Sequence, residues 1–379
     1  VNIILIDVPH QGQVVAQYRR AKNWSQEDLA EALRVDVRTV QRMEQQQMIK
    51  SIERRKLLVG LLGIPLALMG LESEQELTKR ISLAINHDRM SFFENELAAR
   101  WDLYHTGGTL RAGRNLDLWI SEITEFARES QGTGWHERSL ALLVMSYQLQ
   151  ICTARDMLDF TQAHKASQKA YQIAKELDDP ELIASTLAHD GIAYLQQDRP
   201  LDAIKYLNGG LKNVHYAGLS GLRSYILQAV SEAYAKAKLP QESWQSIGLA
   251  ERALEQRDPR QERGKTHLFA SSTLAQKGIN AVLLEDYDRA LSLIDKGLTS
   301  YNPTFVRGRA RLFSQKAEAL YGSGSIDESV VTAEEAIMLA RSVGSNKTIA
   351  RVQTLHSTLS QSRWRKERSI ARLGALLSL

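Results

Sequence analysis

Between Gln11 and Lys56 the chain places ten basic residues (Arg19, Arg20, Lys22, Arg34, Arg38, Arg42, Lys50, Arg54, Arg55, Lys56) against six acids (Glu27, Asp28, Glu31, Asp36, Glu44, Glu53). The remainder is balanced at 38 bases and 38 acids, so the net charge of +4 originates in this one stretch. Cations gathered this way attract a polyanion. Catalytic chemistry finds no comparable foothold. Gly344-Ser345-Asn346-Lys347-Thr348 lacks the upstream glycine and the spacing of a phosphate-binding loop. The nine histidines show no H-E-x-x-H or other metal-ligand spacing, and neither a G-x-S-x-G turn nor a Cys/His pairing stands out. His105-Thr106-Gly107-Gly108 reads as a helix-ending turn. The single Cys152 excludes an internal disulfide framework and a multi-cysteine zinc cluster, and its apolar neighbours Leu149 and Ile151 predict a buried thiol. No enzymatic activity, metal or cofactor is expected.

The elements that must position the basic stretch are helical. With 379 residues the chain should hold two or more units, and 43% hydrophobic with 24% charged residues is a globular balance. Seven prolines are few, while Ala, Leu, Gln, Glu, Lys and Arg abound, which favours helices over strands. Val1 to Asp7 is apolar and short with no basic leader, so a cytoplasmic protein is expected. A first short helix spans Gln13 to Lys22, with Val14, Val15 and Tyr18 on one face. A second opens at the N-cap Ser25, with Asp28 at its third position and Leu29, Ala30 and Leu33 at helical spacing. After the turn Arg34-Val35, Asp36 caps a third helix from Val37 to Met43, whose buried side would be Val35, Val40 and Met43.

The run Trp24-Ser25-Gln26-Glu27-Asp28-Leu29-Ala30 followed by Val35 to Glu44 resembles the Cro/repressor-type (XRE) helix-turn-helix family. Arg34 stands where the family has a turn glycine, and Met43 where it has an aromatic residue. The resemblance implies a lambda-repressor-like domain whose last helix enters the major groove of double-stranded DNA. Carried over by position, Val37, Arg38, Gln41 and Arg42 would face DNA, with Gln26 near a phosphate and Thr39, Arg19, Arg20 and Lys50 on the backbone. The chemistry suits those roles: Arg forks to guanine, Gln pairs with adenine, and Val meets a thymine methyl.

Leu57 to Leu71 is an apolar run broken by Gly60, Gly63, Pro65 and Gly70, too short and too interrupted to cross a bilayer. It predicts a buried packing segment or a dimer contact. From about Asn95 a helix-turn-helix pattern repeats, with small residues at Gly191 and Ala203, Ser231 and Ser243, Gly278 and Ala290, and Ala317 and Ser329. Arg138–Ala154 with Phe160–Leu177 reads as another unit, and the segment from Asn346 as a cap. The spacing resembles the tetratricopeptide (TPR) repeat, without its opening Trp and with units longer than usual. In such an array the first helices line a concave face. By repeat position Tyr225, Gln228, Glu232, Gln276, Arg311, Gln315 and Glu318 would point inward, with Asn280 close by.

The expected fold is therefore all-α: a helix-turn-helix domain over 11–56, an apolar connector and linker helix over 57–94, and a TPR-like α-solenoid with capping helices over 95–379. That combination resembles the peptide-responsive regulators of Gram-positive bacteria, the Rgg, PlcR, NprR and PrgX group. The resemblance implies a homodimeric, quorum-sensing type of transcription regulator whose repeats bind a signalling peptide or a protein. The alternative is an interaction adaptor in which the helix-turn-helix only tethers the chain to DNA or dimerises.

Overall fold

A computed structural model describes residues 10–71, 74–106, 108–214, 219–257 and 270–378; the apolar stretch Val1 to Asp7 lies outside them. Every regular element among the described residues is helical, as the composition predicts. The chain divides into two compact units, 1–88 and 89–379.

The first unit is built from α1 (Gln11–Ala21), α2 (Gln26–Leu33), α3 (Val37–Glu44), α4 (Ile52–Leu62) and a 3-10 turn (Leu66–Met69). Its boundaries follow from caps written in the sequence. Ser25 accepts from the Asp28 amide at 3.0 Å while the Asp28 carboxylate accepts from the Ser25 amide at 2.7 Å, a reciprocal pair that satisfies two free donors of α2. Arg34 ends α2 in the left-handed region, φ +55°, a conformation that favours glycine over residues with a Cβ. Gly12 is where α1 meets the end of α3. A Cβ there would lie 2.5 Å from the Met43 carbonyl oxygen, so only glycine permits the approach. Val14, Val15, Leu29, Val40 and Met43 close the core, and Leu58, Leu62, Ile64 and Met69 complete it. The apolar run thus packs onto this unit, although Leu57 and Leu66 stay exposed.

The second unit continues with α5 (Glu74–Thr106, which begins before the boundary), α6 (Thr109–Ala112), α7 (Leu116–Glu129) and α8 (Trp135–Asp156). It goes on through α9 (Phe160–Glu176), α10 (Pro180–Gln196), α11 (Pro200–Leu211), α12 (Ser220–Lys236) and α13 (Pro240–Glu255). The last elements are α14 (Ala270–Leu283), α15 (Tyr287–Ser300), α16 (Val306–Gly322), α17 (Ile326–Ser342), α18 (Asn346–Gln361) and α19 (Arg368–Ser378). Helices pair antiparallel as α8 with α9, α10 with α11, α12 with α13, α14 with α15 and α16 with α17. Each pair turns at one left-handed residue: Leu158, Asp198, Lys238, Glu285 and Gly324. The small residues seen in the sequence sit where paired helices touch. Ala203, Ser231, Ser243, Ala290, Ala317 and Ser329 are all fully buried. In two pairs a serine hydroxyl donates across the contact, Ser243 to the Ser231 carbonyl at 2.9 Å and Ser329 to that of Ala317 at 2.7 Å.

The first helices of successive pairs also touch one another, forming an inner layer of α8, α10, α12, α14, α16 and α18. That layer closes on itself, because α18 packs back against α8. The junction is polar and buried. Arg307 of α16 donates to Asp156 of α8 at 2.5 Å and to the Tyr104 carbonyl at 2.9 Å. Thr109 bonds the same carboxylate, and its amide donates to the Val343 carbonyl at 3.1 Å. Ser345 and Lys347, at 3.4 and 3.9 Å, complete the surroundings of Asp156.

Candidate functional site

In the first unit, α3 is anchored by Val40 and Met43, which leaves Arg38, Gln41 and Arg42 exposed on the opposite side. Its start is fixed by Asp36, which accepts from the Thr39 hydroxyl at 2.9 Å and from the Thr39 amide at 3.0 Å. Those two bonds hold the Asp36 carboxyl below its usual range and commit the Thr39 hydroxyl to the cap. Val37 is half-buried against the core rather than fully presented. Gln41 is oriented by a chain of bonds that begins in the interior. Arg19 donates to Glu44 at 2.6 Å, Glu44 accepts from Gln26 at 2.7 Å, and Gln26 accepts from Gln41 at 3.3 Å. Arg19 is therefore not the phosphate contact expected from its position. It is buried, and its third bond is to the Trp24 carbonyl at 2.7 Å. Arg20 and Lys50 do remain exposed. Gln13, Gln17, Arg20, Gln26, Gln41 and Gln45 border a concavity of about 540 Å³ between α1 and α3, an amide-rich surface suited to hydrogen-bonding.

In the second unit the inner layer surrounds a cavity of about 280 Å³. Five of the eight residues expected at or beside a ligand face line it: Tyr225, Gln228, Glu232, Gln276 and Arg311. Glu232 is the hub, accepting from Arg311 at 2.5 Å and from Gln276 at 3.0 Å. Burial alone would raise its carboxyl, but Arg311, helped by Arg351, outweighs burial and holds it below the usual range. Gln315 and Glu318 do not line the cavity, which corrects their expected inward placement. Asn280 is fully buried behind the wall, where its amide donates to the Ser231 hydroxyl at 2.9 Å and accepts from Gln276 at 2.9 Å. Gln315 is also sealed, and neither atom of its amide has a hydrogen-bond partner. Helical spacing put Gln315 on the inward side of its helix, but it falls at a fully buried contact. Glu318 is held by Arg351, which donates to it at 2.6 and 3.1 Å.

Three basic residues in the wall escaped the sequence reading: Arg155, Lys347 and Arg351. Arg155 is at the end of the inner helix of the first pair, and the other two belong to α18, read only as a cap. The structure also joins Cys152 to His189, with Sγ 3.4 Å from Nδ1, a pairing that residue spacing does not disclose. Among the described residues no cluster of His, Cys, Asp and Glu is arranged to hold a metal. None of their helices is long and apolar enough to cross a membrane.

Residues 15–69 match the helix-turn-helix family HTH_3. This segment is a helix-turn-helix domain. No curated protein matches the chain. Among solved structures, BtubC (BKLC) from P. vanneervenii is similar at 15% identity over 60% of this chain and 92% of that one, with a TM-score of 0.43. PlcR of Bacillus thuringiensis, solved in complex with the peptide PapR7 and DNA, is similar at 14% identity over 93% of this chain and 100% of that one, with a TM-score of 0.40. The helix-turn-helix match extends beyond α3 through α4 to Met69, the same stretch over which the hydrophobic core is continuous.

Proposed function

We propose that this protein is a sequence-specific DNA-binding transcription regulator whose helical array dimerises and senses a peptide or protein ligand. The observation that carries the DNA part is the composition of the free side of α3. Arg38, Gln41 and Arg42 are exposed on a helix whose other side is locked into the core, so the helix can enter a groove without unfolding anything. Arg and Gln on such a helix are the side chains that read guanine and adenine edges. The bracing of Gln41 through Gln26 and Glu44 orients its amide before DNA arrives, which lowers the entropy lost on binding. The ligand part is supported by a cavity of mixed polar and apolar lining, ringed by five inner helices and α18. A ligand acts on the DNA-binding head only by favouring one arrangement of the protein over another.

Selection of duplexes from a random pool tests the DNA reading. The expected outcome is a defined pair of half-sites, and an affinity for them that falls with salt. Arg38→Ala and Gln41→Ala should each cost about 1–3 kcal/mol on the selected site and relax preference at one position. Recovery of no preferred sequence, or unchanged binding by both variants, would remove the assignment.

A further inference from the structure

The wall of the inner cavity is electrically unbalanced. Among its described residues Arg155, Arg311, Lys347 and Arg351 carry positive charge, and Glu232 is the one carboxylate. Two of the four cations have close acids, Arg311 with Glu232 and Arg351 with Glu318. Lys347 has only Asp156 at 3.9 Å, and that carboxylate is already taken up by Arg307 at 2.5 Å. Arg155 forms no ion pair with a carboxylate among the described residues, and Asp190 acts on it only from a distance. It is 6% exposed, donates to the His189 carbonyl at 3.0 Å, reaches the Cys152 sulfur at 3.6 Å, bonds the Tyr104 and Tyr225 side chains, and leaves Nε without a partner. A buried guanidinium so placed is costly, because a desolvated charge is tolerated when an opposite charge or a full set of hydrogen bonds meets it.

We infer that the cavity is a site for a compact anion, whose carboxylate or phosphate oxygens take Arg155, Lys347, Arg311 and Arg351 as partners. This rests on the ligand-sensing reading of the array and specifies the ligand's chemistry. Size agrees with charge: about 280 Å³ lies just under the usual range of roughly 300–1,000 Å³ for small-molecule sites. An extended chain advancing about 3.3–3.6 Å per residue would fit there only by its end. The shared requirement is an oxyanion, met by a free small anion or by the terminal carboxylate of a peptide. Tyr225, Gln228 and Gln276 supply neutral hydrogen-bonding groups around it. Burial pushes the Lys347 ammonium down to about 8, against the pull of Asp156; it stays cationic at neutral pH, and an arriving anion would move it back up.

Titration calorimetry on the full chain, without DNA, tests the inference with four probes: citrate, inorganic phosphate, tri-alanine and tri-alanine amide, all in chloride buffer of matched ionic strength. Binding of citrate or phosphate identifies a free anion. Binding of tri-alanine but not of its amide identifies a peptide terminus. In either case Lys347→Met, and Arg155→Gln if it folds, should weaken the interaction by about tenfold or more. The inference is overturned if none of citrate, phosphate and tri-alanine binds, if the amide binds as well as the acid, or if Lys347→Met retains full affinity. Because no DNA is present, such a failure leaves the DNA reading to stand or fall on its own selection experiment.

Discussion

Cys152 and His189 touch inside the array, and burial moves their titrations in opposite directions. The thiol is pushed up, and the imidazole is pushed down to about 3, with Arg155 and His105 adding to the effect. Both groups are therefore neutral at ordinary pH, the reverse of what a thiolate–imidazolium nucleophile requires. A stability consequence follows from the same displacement. Below pH 6.5 the unfolded chain takes a proton on His189 that the folded chain refuses until about pH 3. The contribution is full above 6.5 and is lost as pH falls toward 3, amounting to roughly 3 kcal/mol by pH 4.5. His189→Gln cannot titrate, so its loss of stability between pH 7 and 4.5 in urea melts should be smaller by about that amount. Equal losses would show that the ring, packed among Trp101, Tyr225 and Cys152, protonates in place. Legibility at this scale was uneven. Arg38, Gln41 and Arg42 could be placed because a short amphipathic helix leaves them one side to occupy. Arg155 and Lys347 could not, since a basic residue near a helix end ordinarily reaches solvent, and only the closing of the array buries Arg155 and half-buries Lys347.

At the scale of elements, side-chain volume at helix crossings decides the geometry, and glycines show it most sharply. Gly278 on α14 faces α15 so closely that a Cβ would lie 2.6 Å from Ile294 Cγ1 and 3.1 Å from its backbone nitrogen. Gly248 on α13 is as helical, yet its nearest atom would be the tip of Arg252, 4.0 Å away. Alanine gains up to about 1 kcal/mol over glycine in a helix. At Gly278 that gain is outweighed by overpacking of about 1–3 kcal/mol, because a backbone atom cannot step aside. Gly278→Ala should therefore lower the urea midpoint and Gly248→Ala should raise it; the same sign for both would show that α14 and α15 separate freely. The elements themselves were readable from such positions. Gly191, Ser231, Gly278 and Ala317 recur with a small partner on the facing helix, and the caps at Ser25 and Asp36 marked the starts of α2 and α3. The turns were less readable. Leu158, Lys238 and Glu285 adopt positive φ without the glycine or asparagine that usually announces it.

At the scale of the whole second unit, the feature that organises the cavity is the closure of the inner layer on itself. It left no trace in local sequence pattern, because Thr109, Asp156, Arg307 and Ser345 come from four distant elements and each is unremarkable alone. Periodicity reports which side of a helix is buried; it carries no information on whether the last repeat meets the first. Asp156 is the central group of that junction, 1% exposed and shared by Arg307, Thr109, Ser345 and Lys347. Replacing it with Asn keeps the shape but removes the charge that Arg307 and Lys347 face. Leaving a buried cation without its partner costs about 3–5 kcal/mol, well above the worth of the hydrogen bonds Asn can retain. The cost should appear where the layer closes, not uniformly. In Asp156→Asn, amide exchange should accelerate most at Thr109 and over the first turns of α16 and α18, while α12 and α13 keep their protection. Uniform acceleration would mean that the array unfolds as one cooperative body, and unchanged exchange would mean that apolar packing alone holds α18 against α8.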